Sequence, residues 1–208
     1  TGALRRLAGG IARGLRDNSL AGSRRHIRQH YDLGNDFFRL FLDSELLMYS
    51  CGRFESAADS VEASQVQKVD YICRTLALTP SDRVLEIGSG WGGFAVHAAT
   101  YYGCHVTTTT ISPRQYEFAR RRAKQAGLED RVTVLADDYR DLGGTFDKII
   151  AIEMIEAVDW REYDTFFAHC RRLLDDAGAL AMQAIVVRDE SFDRMKLHTD
   201  FIKTAIFP

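Results

Sequence analysis

Val84, Leu85, Glu86 and Ile87 run directly into the turn Gly88-Ser89-Gly90-Trp91-Gly92-Gly93. An apolar run that meets a glycine-rich turn leaves a chain few folds to choose from. It is how a buried parallel strand passes into a helix in a nucleotide-type α/β fold, because a backbone without Cβ atoms bends tightly and lets a ligand come close. The Glu-x-Gly-x-Gly-x-Gly spacing is near the dinucleotide fingerprint without matching it. Read alone, the same residues also fit a tight strand–helix turn with no ligand.

The surrounding sequence alternates in the same sense. Aliphatic and β-branched runs predict strands over 82–87, 105–111, 131–136, 146–154 and 179–187. Helical patterns fall between them, over 94–102, 112–127 (closed by Gly127) and 160–174, the last with Tyr163, Phe166, Phe167 and Cys170 on its apolar side. Such alternation implies a parallel sheet covered on both faces, with a ligand beyond the carboxyl ends of the strands beside the first. Residues 76–208 then form the core, and residues 1–75 a helical segment ahead of it.

A chain of 208 residues, 46% hydrophobic and 27% charged, has the composition of an ordinary globular protein with a full core. No apolar run reaches the length of a membrane-spanning helix, and no secretory leader is read. Cys51, Cys73, Cys104 and Cys170 show no C-x-x-C pairing, and the six histidines are scattered, so no metal site is expected and a reducing, cytoplasmic setting is. The formal net charge of -2 hides an asymmetry. Residues 1–30 carry seven arginines against Asp17 alone, a net of +6, so the rest of the chain carries -8. Leu4, Leu7, Ile11 and Leu15 share one helical face there. A basic amphipathic helix suits an anionic membrane surface; a solvated helix packed on its own domain is the alternative. Nucleic acid is not expected, because no aromatic residues interleave with the arginines.

Further stretches are more specific. They are His30-Tyr31-Asp32-Leu33-Gly34-Asn35-Asp36-Phe37-Phe38, Leu47-Met48-Tyr49-Ser50-Cys51, Thr110-Ile111-Ser112-Pro113-Arg114-Gln115 and Ile152-Glu153-Met154-Ile155-Glu156-Ala157, with Asp200-Phe201-Ile202 and Ile206-Phe207-Pro208 at the end. With the glycine turn, and over roughly residues 25–208, the chain resembles the cyclopropane-fatty-acid synthase family, which includes mycolic acid cyclopropane synthases and enzymes making methyl-branched fatty acids. The resemblance implies a Rossmann-like, mostly parallel S-adenosylmethionine (AdoMet) methyltransferase sheet with an N-terminal helical segment. Family sheets continue into an antiparallel pair beyond the five strands read here, so the C-terminal strands are expected to be missing from this chain, or a partner, such as a second copy, covers the edge.

The implied reaction is attack by a cis double bond of an unsaturated phospholipid acyl chain on the AdoMet methyl group. The resulting carbocation loses a proton to give a cyclopropane or a methylene branch, and reduction of the latter gives a methyl branch. Tyr31, Phe37, Phe38 and Tyr49 are candidates to stabilise the cation, with core packing the alternative for the phenylalanines. By resemblance, Gly88 and Gly90 pass the methionine half of the cofactor with Glu86 nearby, and Tyr49 and Ser50 close over it. Thr110, Ile111 and Gln115 face its ribose and adenine side, and Asp138 accepts from the adenine amino group unless it is a helix cap. The family's proton acceptor is a bicarbonate ion. Cys51 and Glu156 match two of its ligands, Gln183 stands where a histidine is usual, and the family's tyrosine lies past Pro208. A buried apolar role for Cys51 and a structural hydrogen bond for Glu156 are the alternatives. A small-molecule (amine) methyltransferase and a non-catalytic AdoMet-binding membrane module are the competing functions. The expected location is cytoplasmic, peripheral to the inner face of the membrane.

Overall fold

Five aliphatic runs pair into one parallel sheet in a computed structural model that describes residues 34–197. The strands are β1 (Arg83–Ile87), β2 (His105–Thr109), β3 (Val132–Leu135), β4 (Phe146–Ile152) and β5 (Leu174–Gln183), in the order β3-β2-β1-β4-β5. The order reverses beside β1, so the crevice at its carboxyl end is a topological switch point. Around the sheet lie helices α1 (Asn35–Phe38), α2 (Val61–Thr75), α3 (Gly93–Tyr102), α4 (Pro113–Gln125), α5 (Tyr163–Leu173) and α6 (Asp189–Leu197). No helix among the described residues is long and apolar enough to cross a membrane. Tyr31, the basic 1–30 stretch and the motifs after residue 197 lie outside the described residues.

Each face of the sheet has its own core. On one, Val84, Val106 and Ile150 pack with Phe94, Ala95 and Ala98 of α3 and Val69, Ile72 and Cys73 of α2. On the other, Leu85, Ile87, Ile149 and Ala151 meet Phe166, Cys170 and Leu173 of α5. Phe167, expected on that apolar side, is 42% exposed, because the buried stripe runs through 166, 170 and 173. Local caps set the helix ends. Ser112 Oγ accepts from Gln115 N at α4 with Pro113 in its first turn, and Gly127 just past the helix takes φ +67°.

β5 starts and ends earlier than the 179–187 expectation. The chain turns directly from α5 into the strand at Leu174, and its partner β4 stops at Ile152, opposite Gln183. The β-branched run Ile185, Val186 and Val187 therefore has no ladder beside it among the described residues, and Val186 is 85% exposed.

A third cluster, Phe38, Leu47 and Trp91, fastens the segment before α2 onto the glycine turn. The Asp43 carboxylate, almost fully buried, accepts from the amides of Leu46 (2.5 Å), Leu47 (3.1 Å) and Met48 (2.7 Å) and folds this segment back on itself. From the core, Arg122 donates to the carbonyls of Leu46, Trp91 and Glu45. The backbone of Leu46 lies so close to Gly93 that a Cβ there would collide with the Leu46 carbonyl.

Candidate active site

The turn after β1 is built on left-handed glycines, with φ +96° at Gly88, +48° at Gly90 and +80° at Gly92. Gly88 and Ser89 donate their amides to the Thr109 carbonyl at the end of β2, which ties the turn to the neighbouring strand. A Cβ on Gly88 would stand 3.3 Å from Met154 Cγ, whereas one on Gly90 would meet no atom within 4 Å. Gly90 thus faces open space at the mouth of the crevice, where a ligand could approach the backbone closely.

Glu86 sits beneath this turn with 2% of its surface exposed, and Thr108 Oγ1 of β2 donates to its Oε2 at 2.6 Å. The structure places this carboxyl inside the fold, supporting the turn from below. Burial pushes its pKa up to about 8, while the Thr108 hydrogen bond pulls it down. The folded protein then keeps a proton that an unfolded glutamate gives up near 4.5. This contribution to stability is complete below that value and is lost as pH rises toward about 8. Thermal unfolding is expected to show the wild-type midpoint falling across this range. Glu86→Gln keeps the acceptor for Thr108 and has no proton to lose, so its curve should be flatter. Identical pH slopes would contradict this account.

On the β2 side, Thr110 Oγ1 donates to Gln115 Oε1 at 2.9 Å and accepts from Ser112 N at 3.1 Å. Both residues are buried, Ile111 between them is half-buried, and the bond leaves the Gln115 NH₂ group to donate. Asp138 caps the short 3₁₀ turn Tyr139–Asp141, accepting from Arg140 N, and pairs with the Arg140 guanidinium at 2.8 Å. The capping role weighed for Asp138 is therefore present, and its carboxylate is already engaged.

In the segment fastened to the glycine turn, Tyr49, 39% exposed, stacks edge-on with Phe38 at 5.5 Å between centroids. Next to it the Ser50 carbonyl accepts from Gln65 Nε2 (2.8 Å) and its hydroxyl from Lys68 Nζ (2.6 Å), both on α2. Lys68 is 3% exposed; burial draws its ammonium down to about 8, opposed by the carboxylates of Glu153 and Asp43.

Cys51 is exposed, not a buried apolar filler. Its amide donates to Glu153 Oε1 at 2.9 Å. Gln183 Nε2 reaches the same oxygen at 2.8 Å and the Cys51 carbonyl at 3.1 Å. The Glu153 carboxylate beside it and some burial push the Cys51 thiol up, partly offset by Lys68. Glu156 lies on the 3₁₀ turn Ile155–Ala157, where Oε1 accepts from Ile185 N at 2.6 Å and Oε2 is buried without a partner. Cys51, Gln183 and Glu153 are thus gathered into one group, and Glu156 stands beside the exit of β5. Glu153, Lys68 and Asp43 were not singled out in the sequence. The signal available for Glu153 was an acid at the very end of an apolar strand.

An AdoMet molecule would find open space at Gly90 and a donor at Gln115, so the residues present fit it. A bicarbonate ion would find a proton acceptor in Glu156 Oε2. The Gln183 NH₂ group is already committed twice and the Cys51 amide once, so the fit is incomplete and no step is derived through that ion.

Residues 18–208 match the family model of mycolic acid cyclopropane synthetase. The tuberculostearic acid methyltransferase of Mycobacterium tuberculosis is 36% identical over 199 residues, 92% of this chain and 46% of that enzyme. The cyclopropane-fatty-acyl-phospholipid synthase of Escherichia coli is 42% identical over 158 residues, 76% of this chain and 40% of that enzyme. Among solved structures, mycolic acid cyclopropane synthase CmaA1 complexed with SAH and CTAB superposes with a TM-score of 0.81 at 29% identity, covering 89% of this chain and 68% of that one. The chain spans less than half the length of these two curated relatives. Its parallel sheet is that of the AdoMet methyltransferases of this group. By sequence match and by architecture, the chain belongs to the mycolic acid cyclopropane synthetase family.

Proposed function

We propose that the enzyme containing this chain transfers a one-carbon group from AdoMet to the double bond of an unsaturated phospholipid acyl chain, giving a cyclopropane or a methylene or methyl branch. AdoMet, when bound, supplies an electrophilic methyl group. The glycine turn lets it lie against the backbone, and Gln115 and the Tyr49–Ser50 cover orient it. An alkene is a weak nucleophile, so the reaction depends on close positioning and exclusion of water. As the alkene pair bonded to the methyl carbon, the bond from that carbon to the sulfonium sulfur would break with its electron pair leaving on S-adenosylhomocysteine, and a carbocation would remain on the lipid. A C–H bond of the transferred methyl would then break, its electron pair closing the ring onto the cationic carbon or, after a 1,2-hydride shift has moved the cation to the methyl-bearing carbon, forming the double bond of a methylene branch, with Glu156 Oε2 placed to receive the proton. A saturated methyl branch needs a further reduction by a separate reductant.

The observation that carries this reading is Glu156 Oε2, a buried acceptor without a partner, on a carboxylate anchored to the amide of Ile185. Exposed apolar side chains precede the Ser50–Cys51 segment at Phe37, Phe41 and Tyr49 and follow β5 at Ile185 and Val186. That suits an alkyl chain better than a small polar amine. The names of the relatives support the same substrate class. The +6 balance of residues 1–30 suits an anionic membrane surface and supports a peripheral position at the inner face of the membrane.

The test is the full-length enzyme with AdoMet and vesicles of monounsaturated phospholipid, analysed by lipid mass spectrometry. Lipids should gain the mass of one CH₂ group. The rate should be higher on anionic than on zwitterionic vesicles and should fall with salt, as the screening length drops from about 10 Å at 0.1 M to about 3 Å at 1 M. Methylation of small amines with unchanged lipids would overturn the substrate, and a rate indifferent to head-group charge and salt would overturn the surface assignment.

A further inference from the structure

Glu153 is the first residue past β4 and takes φ +47°, a left-handed conformation that is costly for a residue with a side chain. Such a conformation persists only where the surroundings over-determine it. Here they do. The Glu153 amide donates to the Gln183 carbonyl at 2.8 Å, and its Oε1 accepts from both Cys51 N and Gln183 Nε2. The turn sends its carboxylate toward Ser50 and Cys51, while the next residue, Met154, lies against Gly88. Lys68 holds the same segment from α2 through the Ser50 hydroxyl. The cover over the crevice is therefore gripped at neighbouring residues by a carboxylate from the sheet and an ammonium from α2.

We propose that Glu153 is a positioning residue: its carboxylate latches the Ser50–Cys51 segment onto the ends of β4 and β5, and this latch sets how tightly the cover closes over AdoMet. The proposal deepens the reading above and rests on it for the identity of the cofactor. The latch itself is a property of the chain that can be measured without turnover.

Three variants of the full-length enzyme decide it. Glu153→Gly relieves the left-handed strain and removes the latch. Glu153→Gln keeps an oxygen in place and removes the charge. Lys68→Met removes the opposing charge and keeps side-chain length. Hydrogen exchange at the Cys51 amide should quicken by about tenfold to a hundredfold in Glu153→Gly, the factor expected for losing a hydrogen bond to a charged group, and by less in Glu153→Gln. The KM for AdoMet should rise in the same order, with kcat changing less. Peptide-mapped alkylation of Cys51, the one exposed cysteine among the described residues, gives a pH profile. Its midpoint should move to lower pH in both Glu153 variants and to higher pH in Lys68→Met. Opposite shifts of this kind do not follow from loosened packing. Wild-type exchange and AdoMet KM in a folded Glu153→Gly enzyme, or alkylation midpoints that fail to move in opposite directions, would overturn the proposal. Exchange and alkylation decide the latch even if the lipid assay shows no lipid product, which would count only against the proposed substrate.

Discussion

Glu156→Gln in the full-length enzyme is expected to bind AdoMet as the wild type does and to turn over at least about a hundredfold more slowly, the usual size of a lost general base. The substitution isolates the chemistry because of how Glu156 is held. Its Oε1 accepts from Ile185 N, and a glutamine can present its own oxygen to that amide. The exit of β5 therefore stays anchored. What changes is Oε2, a buried acceptor without a partner, which becomes an NH₂ group unable to take a proton. AdoMet affinity by calorimetry and lipid turnover by mass spectrometry separate the two effects. Normal turnover would remove Glu156 from the proton-removing role. Joint loss of binding and turnover would show that it acts on the shape of the crevice.

Gly90→Val is expected to abolish AdoMet binding in a protein that still folds. Gly90 has φ +48° and its missing Cβ points into open space, so a side chain there meets no protein atom but occupies the volume assigned to the cofactor. The left-handed backbone alone costs about 1–2 kcal/mol, enough to lower the melting temperature without unfolding the domain. Gly127→Val supplies the control. Gly127 has φ +67°, also faces open space, and lies past the end of α4. The two variants should lose similar stability, and only Gly90→Val should lose AdoMet. Retained affinity in Gly90→Val would move the cofactor away from this turn.

What was legible in the sequence was local. The strand at Val84–Ile87 and the glycines after it declare themselves within ten residues, and the sheet follows from repeating that pattern. Propensity overshot at Ile185, Val186 and Val187, where a β-branched run has no neighbouring strand and one of its amides is taken by Glu156. Cys51 and Gln183 were visible through family resemblance, but the residue joining them was not. Glu153 meets Cys51 across 102 positions of sequence and needs a left-handed backbone to do so, which no spacing announces. Lys68 was hidden differently: in an amphipathic helix a lysine reads as solvated, and only the folded cover buries it.

The close approach of Leu46 to Gly93 bears on how this family can be recombined. The cover's base is joined to the core where no side chain fits, with Asp43 shaping one half and Arg122 reaching across from the other. A crossover in the short link between α2 and β1 would take Leu46 from one parent and Gly93 and Arg122 from another. Such chimeras should survive only where the parent that supplies the second block carries glycine at the position of Gly93, whatever their overall similarity. Segments are thus exchangeable between relatives only in blocks that respect this seam.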